Sequence, residues 1–81
     1  MKTVLITGAS RGIGRAIAQT FAKEGFSLVI NCSKSEQELT SLRDELMHIY
    51  HVDVIASVGD VSDYAYVESL FHDAATCFGG I

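Results

Sequence analysis

The sequence predicts an α/β fold in which three parallel strands alternate with three helices, β-α-β-α-β-α, as the first half of a doubly wound sheet. Three observations carry this expectation. Short apolar, β-branched runs alternate with segments whose apolar residues recur at helical spacing. A glycine-rich turn, Thr7-Gly8-Ala9-Ser10-Arg11-Gly12-Ile13-Gly14, joins the first run to the first helical segment, and no proline or internal repeat interrupts the alternation. Strands and helices in that order imply parallel strands joined by right-handed crossovers.

The first strand is read from Lys2 to Ile6, where the continuous centre Val4-Leu5-Ile6 suits a strand covered on both faces. Ile13, Ala16, Ile17, Thr20 and Phe21 then recur at helical spacing. They predict a helix from Ile13 to Lys23 that turns this stripe toward the strand, with Gly25 as its C′ stop. Phe26 to Asn31 is the second strand. Ser35-Glu36-Gln37-Glu38 reads as a capping box, Ser35 being the N-cap and Glu38 reaching back. Leu39, Leu42, Leu46 and Ile49 continue that helix from about Glu36 to about His48. Val52 to Val58 is the third strand, broken by Gly59-Asp60-Val61-Ser62. Val67, Leu70, Phe71, Ala74, Ala75 and Phe78 form the stripe of a third helix, which Gly79-Gly80 ends. Residues 1–81 are read as a single part of one domain.

Eighty-one residues make one small domain at most. A net charge of −4 with no basic run argues against a nucleic-acid surface. There is no apolar run of membrane-spanning length and no signal-peptide pattern, so the expectation is a cytoplasmic protein without a membrane partner. Cys32 and Cys77 form no C-x-x-C pair and read as two reduced, partly buried thiols. His48 and His51 lie on either side of a helix end with no further ligand at suitable spacing, so no metal site is expected.

A strand that ends in a tight glycine turn and feeds directly into a helix aims backbone N–H groups and the positive end of the helix dipole at one spot, which suits a phosphate. Gly8 lets the chain leave the strand sharply, Gly12 permits close backbone approach to a pyrophosphate, and Gly14 lets the helix start pack tightly. A dinucleotide bound there would place its adenosine ribose beside the end of the second strand, which reads Asn31-Cys32-Ser33-Lys34. No carboxylate stands there to repel a 2′-phosphate, and Arg11, Arg15 and Lys34 are near, although the two arginines also read as plain solvated residues. A phosphate paired with a guanidinium gains about 1.5–3 kcal/mol. The expected cofactor is therefore NADP(H) rather than NAD(H).

The spacing Gly8-x-x-x-Gly12-x-Gly14, preceded by Thr7, resembles the short-chain dehydrogenase/reductase family. Thr7 to Ala18 is most similar to its 3-oxoacyl-(acyl carrier protein) reductase group. The resemblance implies a Rossmann-type fold and a nicotinamide dinucleotide as partner. Pyrophosphate would lie at Gly8, Ser10, Gly12, Ile13 and Gly14, the 2′-phosphate at Arg11 and Ser33, and adenine at Asp60 and Val61. Asp60 or Ser62 also reads as a cap of the third helix, Ser62 being the better placed, and both roles can hold together.

The resemblance further implies a catalytic Tyr with a Lys four residues later, and a Ser. Tyr50, Tyr64 and Tyr66 are followed at that spacing by Val54, Glu68 and Leu70, so no catalytic residue is assigned in this chain. The expected function is the NADP(H)-binding portion of an oxidoreductase that reduces a carbonyl, such as a 3-oxoacyl thioester, once a complete chain supplies the rest. The alternatives are a non-catalytic nucleotide-binding or interaction module and a truncated product without activity. The expected strand order also leaves the apolar run Thr3 to Ile6 at an edge, from which self-association is expected.

Overall fold

The computed structural model describes residues 2–10 and 12–78. Arg11 and the Gly79-Gly80 stop expected for the third helix lie outside the described residues. The elements follow the predicted order: β1 (Thr3–Ile6), α1 (Gly12–Lys23), β2 (Ser27–Cys32), α2 (Glu36–Tyr50), β3 (Val54–Val58) and α3 (Tyr64–Phe78). The strands form one parallel sheet with β2 between β1 and β3, as in an incomplete Rossmann fold.

Side chains alternate across this sheet because strand residues point to opposite faces in turn. Val4, Ile6, Leu28, Ile30, Cys32, Val54 and Ala56 face α1 and α2, where Ala18, Ala22, Leu39, Leu42 and Leu46 complete the larger core. Leu5, Val29 and Ile55 make the opposite row and meet Tyr66, Leu70, Ala74 and Phe78 of α3. Since both faces are covered, every residue of β2 is buried. Cys32 is a buried free thiol, whereas Cys77 is exposed.

Several packing details differ from the sequence expectation. On α1 the buried positions are Ala18 and Ala22, while Ile13 is 81% exposed and Ile17 41%. The phase of this helix is set by small residues at steps of four, Gly14, Ala18 and Ala22, which let its axis approach the sheet more closely than an isoleucine stripe would. On α2 the leucines are buried as expected, but Ile49 is exposed and Tyr50 packs on the core instead, continuing the step of four from Leu46. On α3 the buried line runs through Leu70 and Ala74, and Phe71 and Ala75 are exposed. A sheet of three strands is too narrow to cover the full width of that apolar stripe.

The helix ends also differ. Ser35 occupies the N-cap position of α2 but makes no side-chain cap hydrogen bond, because its φ of −92° and ψ of 64° lie outside the extended region from which a serine hydroxyl reaches the first turn. The cap of α3 is neither Asp60 nor Ser62. Asp63 Oδ1 accepts from the Ala65 N–H at 3.0 Å and the Tyr66 N–H at 3.3 Å. At its far end α2 closes on His51, a non-glycine residue at φ 56° whose N–H donates to the Met47 carbonyl.

A left-handed conformation at a residue with a side chain costs about 1–2 kcal/mol, which glycine avoids at some cost in unfolded-state entropy. His51→Gly is therefore expected to raise stability by roughly 0.5–1 kcal/mol, read as a higher urea midpoint with an unchanged denaturant slope. A lower midpoint would contradict this account of the helix end.

Candidate functional site

Because all three strands run in the same direction, the turns that leave them emerge at one edge of the sheet. Two main-chain hydrogen bonds fasten the outer turns to the end of β2. The Ala9 N–H donates to the Asn31 carbonyl at 2.9 Å, and the Gly59 N–H donates to the Cys32 carbonyl at 2.9 Å. The glycine turn after β1 and the Gly59-Asp60-Val61 turn after β3 thus flank the β2 end, where Ser33 and Lys34 are exposed.

Within the first turn, Gly8 and Gly12 have φ of +62° and +66°, a region that residues with a side chain rarely enter. Gly14 has a different constraint. A Cβ there would lie 2.2 Å from the Gly8 carbonyl oxygen, so the first turn of α1 rests directly on the turn that precedes it. Ala9 and Ser10 are buried beneath this turn, and the Ser10 hydroxyl makes no hydrogen bond among the described residues. No acidic side chain stands in the first turn of α1. The N–H groups and dipole of that helix end thus meet no carboxylate from the helix's own first turn, and a Cβ at Gly12 would have nothing within 4 Å.

Beside this turn, between α1 and the start of α2, lies an open cleft lined in part by Arg15, Lys34, Ser35, Glu36 and Asp44. The two described cations there differ in freedom. Arg15 donates to Glu45 Oε1 at 3.0 Å, and Gln19 donates to the other oxygen of the same carboxylate at 2.8 Å, so Arg15 is braced against α2. Lys34 is exposed and makes no ion pair among the described residues, with Glu36 lining the same cleft. The glycine turn and the Asp60-Val61 pair border the sheet edge rather than this cleft.

Asp60 is ionised and fixed in direction. Its Oδ1 accepts from the Ser62 N–H at 2.9 Å and the Ser62 hydroxyl at 2.8 Å, and these two bonds hold its carboxyl below its ordinary pKa. Its other oxygen and the adjacent Val61 N–H have no partner among the described residues, which leaves one acceptor and one donor side by side. One acceptor beside one donor can pair with a base edge that offers an amino group next to a ring nitrogen.

The sequence reading missed a polar cluster behind this pair. Asn31, 2% exposed, donates from Nδ2 to the Tyr66 hydroxyl at 2.9 Å and to the carbonyls of Ser57 and Gly59 at 3.2 Å. The Tyr66 hydroxyl also lies 2.8 Å from Ser57 Oγ. Two signals were available: an asparagine ending an otherwise apolar strand, and a tyrosine four residues before Leu70 on the line that continues to Ala74 and Phe78.

The short chain dehydrogenase family model matches residues 2–81. Among relatives, the NADPH-dependent pterin aldehyde reductase of Arabidopsis thaliana is 41% identical over 71 residues, covering 88% of this chain and 28% of its own length. The 3-oxoacyl-[acyl-carrier-protein] reductase FabG of Staphylococcus aureus is 34% identical over 80 residues, covering 99% and 32%. Among solved structures, an alcohol dehydrogenase from the archaeon Thermococcus sibiricus complexed with 5-hydroxy-NADP superposes with a TM-score of 0.87 at 39% identity, over 98% of this chain and 33% of its own. L-sorbose reductase from Gluconobacter frateurii, complexed with NADPH and L-sorbose, gives 0.89 at 34% identity, over 98% and 30%. The chain thus spans about a third of the length of these relatives. With the glycine turn, the parallel sheet and this match over nearly its whole length, the chain belongs to the short-chain dehydrogenase family.

Proposed function

We infer that residues 1–81 are the NADP(H)-binding segment of a short-chain oxidoreductase that reduces a carbonyl substrate, with a 3-oxoacyl thioester as the substrate class. The observation that carries this reading is an anion-accepting geometry: a helix N-terminus packed on a glycine turn, with no acidic side chain in its first turn. Support for NADP(H) over NAD(H) comes from the β2 end. Asn31 carries an amide where a ribose-binding carboxylate would stand, and it is buried and tied to carbonyls, while Ser33 and Lys34 stand exposed beside it. The names of the relatives in Arabidopsis thaliana and Gluconobacter frateurii include NADPH, which points the same way.

In this reading Gly8, Ser10, Gly12, Ile13 and Gly14 hold the pyrophosphate, Arg11 and Ser33 hold the 2′-phosphate, and Asp60 and Val61 seat adenine. When bound, the nicotinamide group supplies or accepts the hydride. The residues of this chain bind and orient. Asp60 accepts from the adenine amino group while the Val61 N–H donates to the ring, and the α1 N-terminus offsets the phosphate charge. None of the three tyrosines is followed by a lysine at the spacing that would lower its pKa, so proton transfer to the substrate is not assigned to any of them.

Three outcomes test the reading. In calorimetric titrations NADPH is expected to bind more tightly than NADH by about tenfold or more, the size of one charge-assisted phosphate contact; equal affinities would remove the 2′-phosphate assignment. Ser33→Asp places a carboxylate where that phosphate would sit, and is expected to weaken NADPH by about tenfold while leaving NADH within about twofold. Gly14→Ala forces a methyl group onto the Gly8 carbonyl and should cost roughly 1–3 kcal/mol in stability together with most of the nucleotide affinity. Unchanged binding in Gly14→Ala would mean that the glycine turn is not the phosphate seat.

A further inference from the structure

We propose that Tyr66 and Asn31 are positioning residues for base recognition: together they hold the Gly59-Asp60-Val61 turn in the shape that selects adenine over other purines. The proposal rests on the reading of Asp60 and Val61 as the adenine seat and adds what fixes them there.

The direction of the Asn31 bonds follows from their partners. Carbonyl oxygens can only accept, so the Asn31 atom facing the Ser57 and Gly59 carbonyls is its amide nitrogen. That nitrogen is also 2.9 Å from the Tyr66 hydroxyl, which must therefore accept from it. The same hydroxyl shares a hydrogen bond with Ser57 Oγ at 2.8 Å, in which either oxygen can donate. Asn31 and Ser57 are register partners in neighbouring strands, one row beyond Val29 and Ile55, so the cluster closes the α3 side of the sheet at its functional edge.

Gly59 is gripped from three directions. Its N–H is held by the Cys32 carbonyl, its carbonyl by Asn31, and its α-carbon lies flush against the Tyr66 ring, where a Cβ would come within 2.3 Å of Cε1. The next two residues are Asp60 and Val61. Their orientation is thereby set by the peptide plane of Gly59, and that plane is set by Asn31 and Tyr66. A ring alone would fill the space. The hydroxyl adds a specific constraint, because the two Asn31 amide protons are shared among the Tyr66 hydroxyl and the carbonyls of Cys32, Ser57 and Gly59, and without the hydroxyl they can settle on Cys32 and Ser57 and release the Gly59 carbonyl.

The test is Tyr66→Phe, which keeps the ring on Gly59 and removes only the hydroxyl. Affinities of the purified wild type and variant are measured for NADPH and for its hypoxanthine analogue, in which an oxygen replaces the adenine amino group that Asp60 would bind. Wild type is expected to prefer NADPH. In Tyr66→Phe, NADPH weakens by about threefold to tenfold and the analogue by less than about twofold, so discrimination collapses. Retained discrimination, whether affinities are unchanged or fall by the same factor, would overturn the proposal and reduce Tyr66 to a packing residue. Circular dichroism of the variant accompanies the titration, and Ser57→Ala, which removes the other hydroxyl partner, is expected to give the same loss of discrimination in smaller measure. Wild type that binds neither dinucleotide would overturn the nucleotide reading itself, and this proposal with it.

Discussion

The end of β2 is the constraint on which the site depends. Two successive carbonyls there, those of Asn31 and Cys32, receive the N–H groups of Ala9 and Gly59 and so hang a turn on either side of the strand. Strand β2 can serve as that anchor because it is buried along its whole length, with Leu28, Ile30 and Cys32 in one core and Val29 in the other. A slip of one residue would exchange those two faces and carry both turns to the wrong height. The core thus fixes the register, and the register places the turns.

A second constraint acts on α1. Gly14, Ala18 and Ala22 bring the helix close to the sheet and its first turn onto the Gly8 carbonyl. The cost is hydrophobic surface left in water at Ile13 and Ile17. The gain is the location of the helix N-terminus, which must stand within one turn of the strand end if its N–H groups are to converge on an anion. Arg15, held by Glu45 together with Gln19, locks the same helix to α2.

Element order, the parallel sheet and the glycine turn were legible in the sequence because each follows from local patterns: apolar runs, helical spacing and the positions of Gly8, Gly12 and Gly14. The faces of the helices were less so. Hydrophobicity pointed to Ile13 and Ile17, yet closeness of approach favoured the alanines, a preference that only a neighbouring sheet can impose. Caps failed for a similar reason. Ser35 and Ser62 have suitable side chains, but the backbone angles at Ser35 and the bonding of Ser62 to Asp60 decide otherwise, and Asp63 takes the position at α3. Asp60 and Val61 could be singled out from resemblance to the family, whereas the Asn31, Ser57 and Tyr66 cluster joins residues up to 35 positions apart and exists only once the strands are in register.

The central claim is that one nucleotide spans the glycine turn, the β2 end and the Asp60-Val61 turn. It is tested most directly by following the backbone amide resonances of the protein as NADPH is added. The account predicts that the largest shifts fall on Gly12, Ile13 and Gly14, on Ser33 and on Val61, with NADH reproducing all but the Ser33 response. Shifts confined to other surfaces, or none at these amides under saturating NADPH, would contradict it.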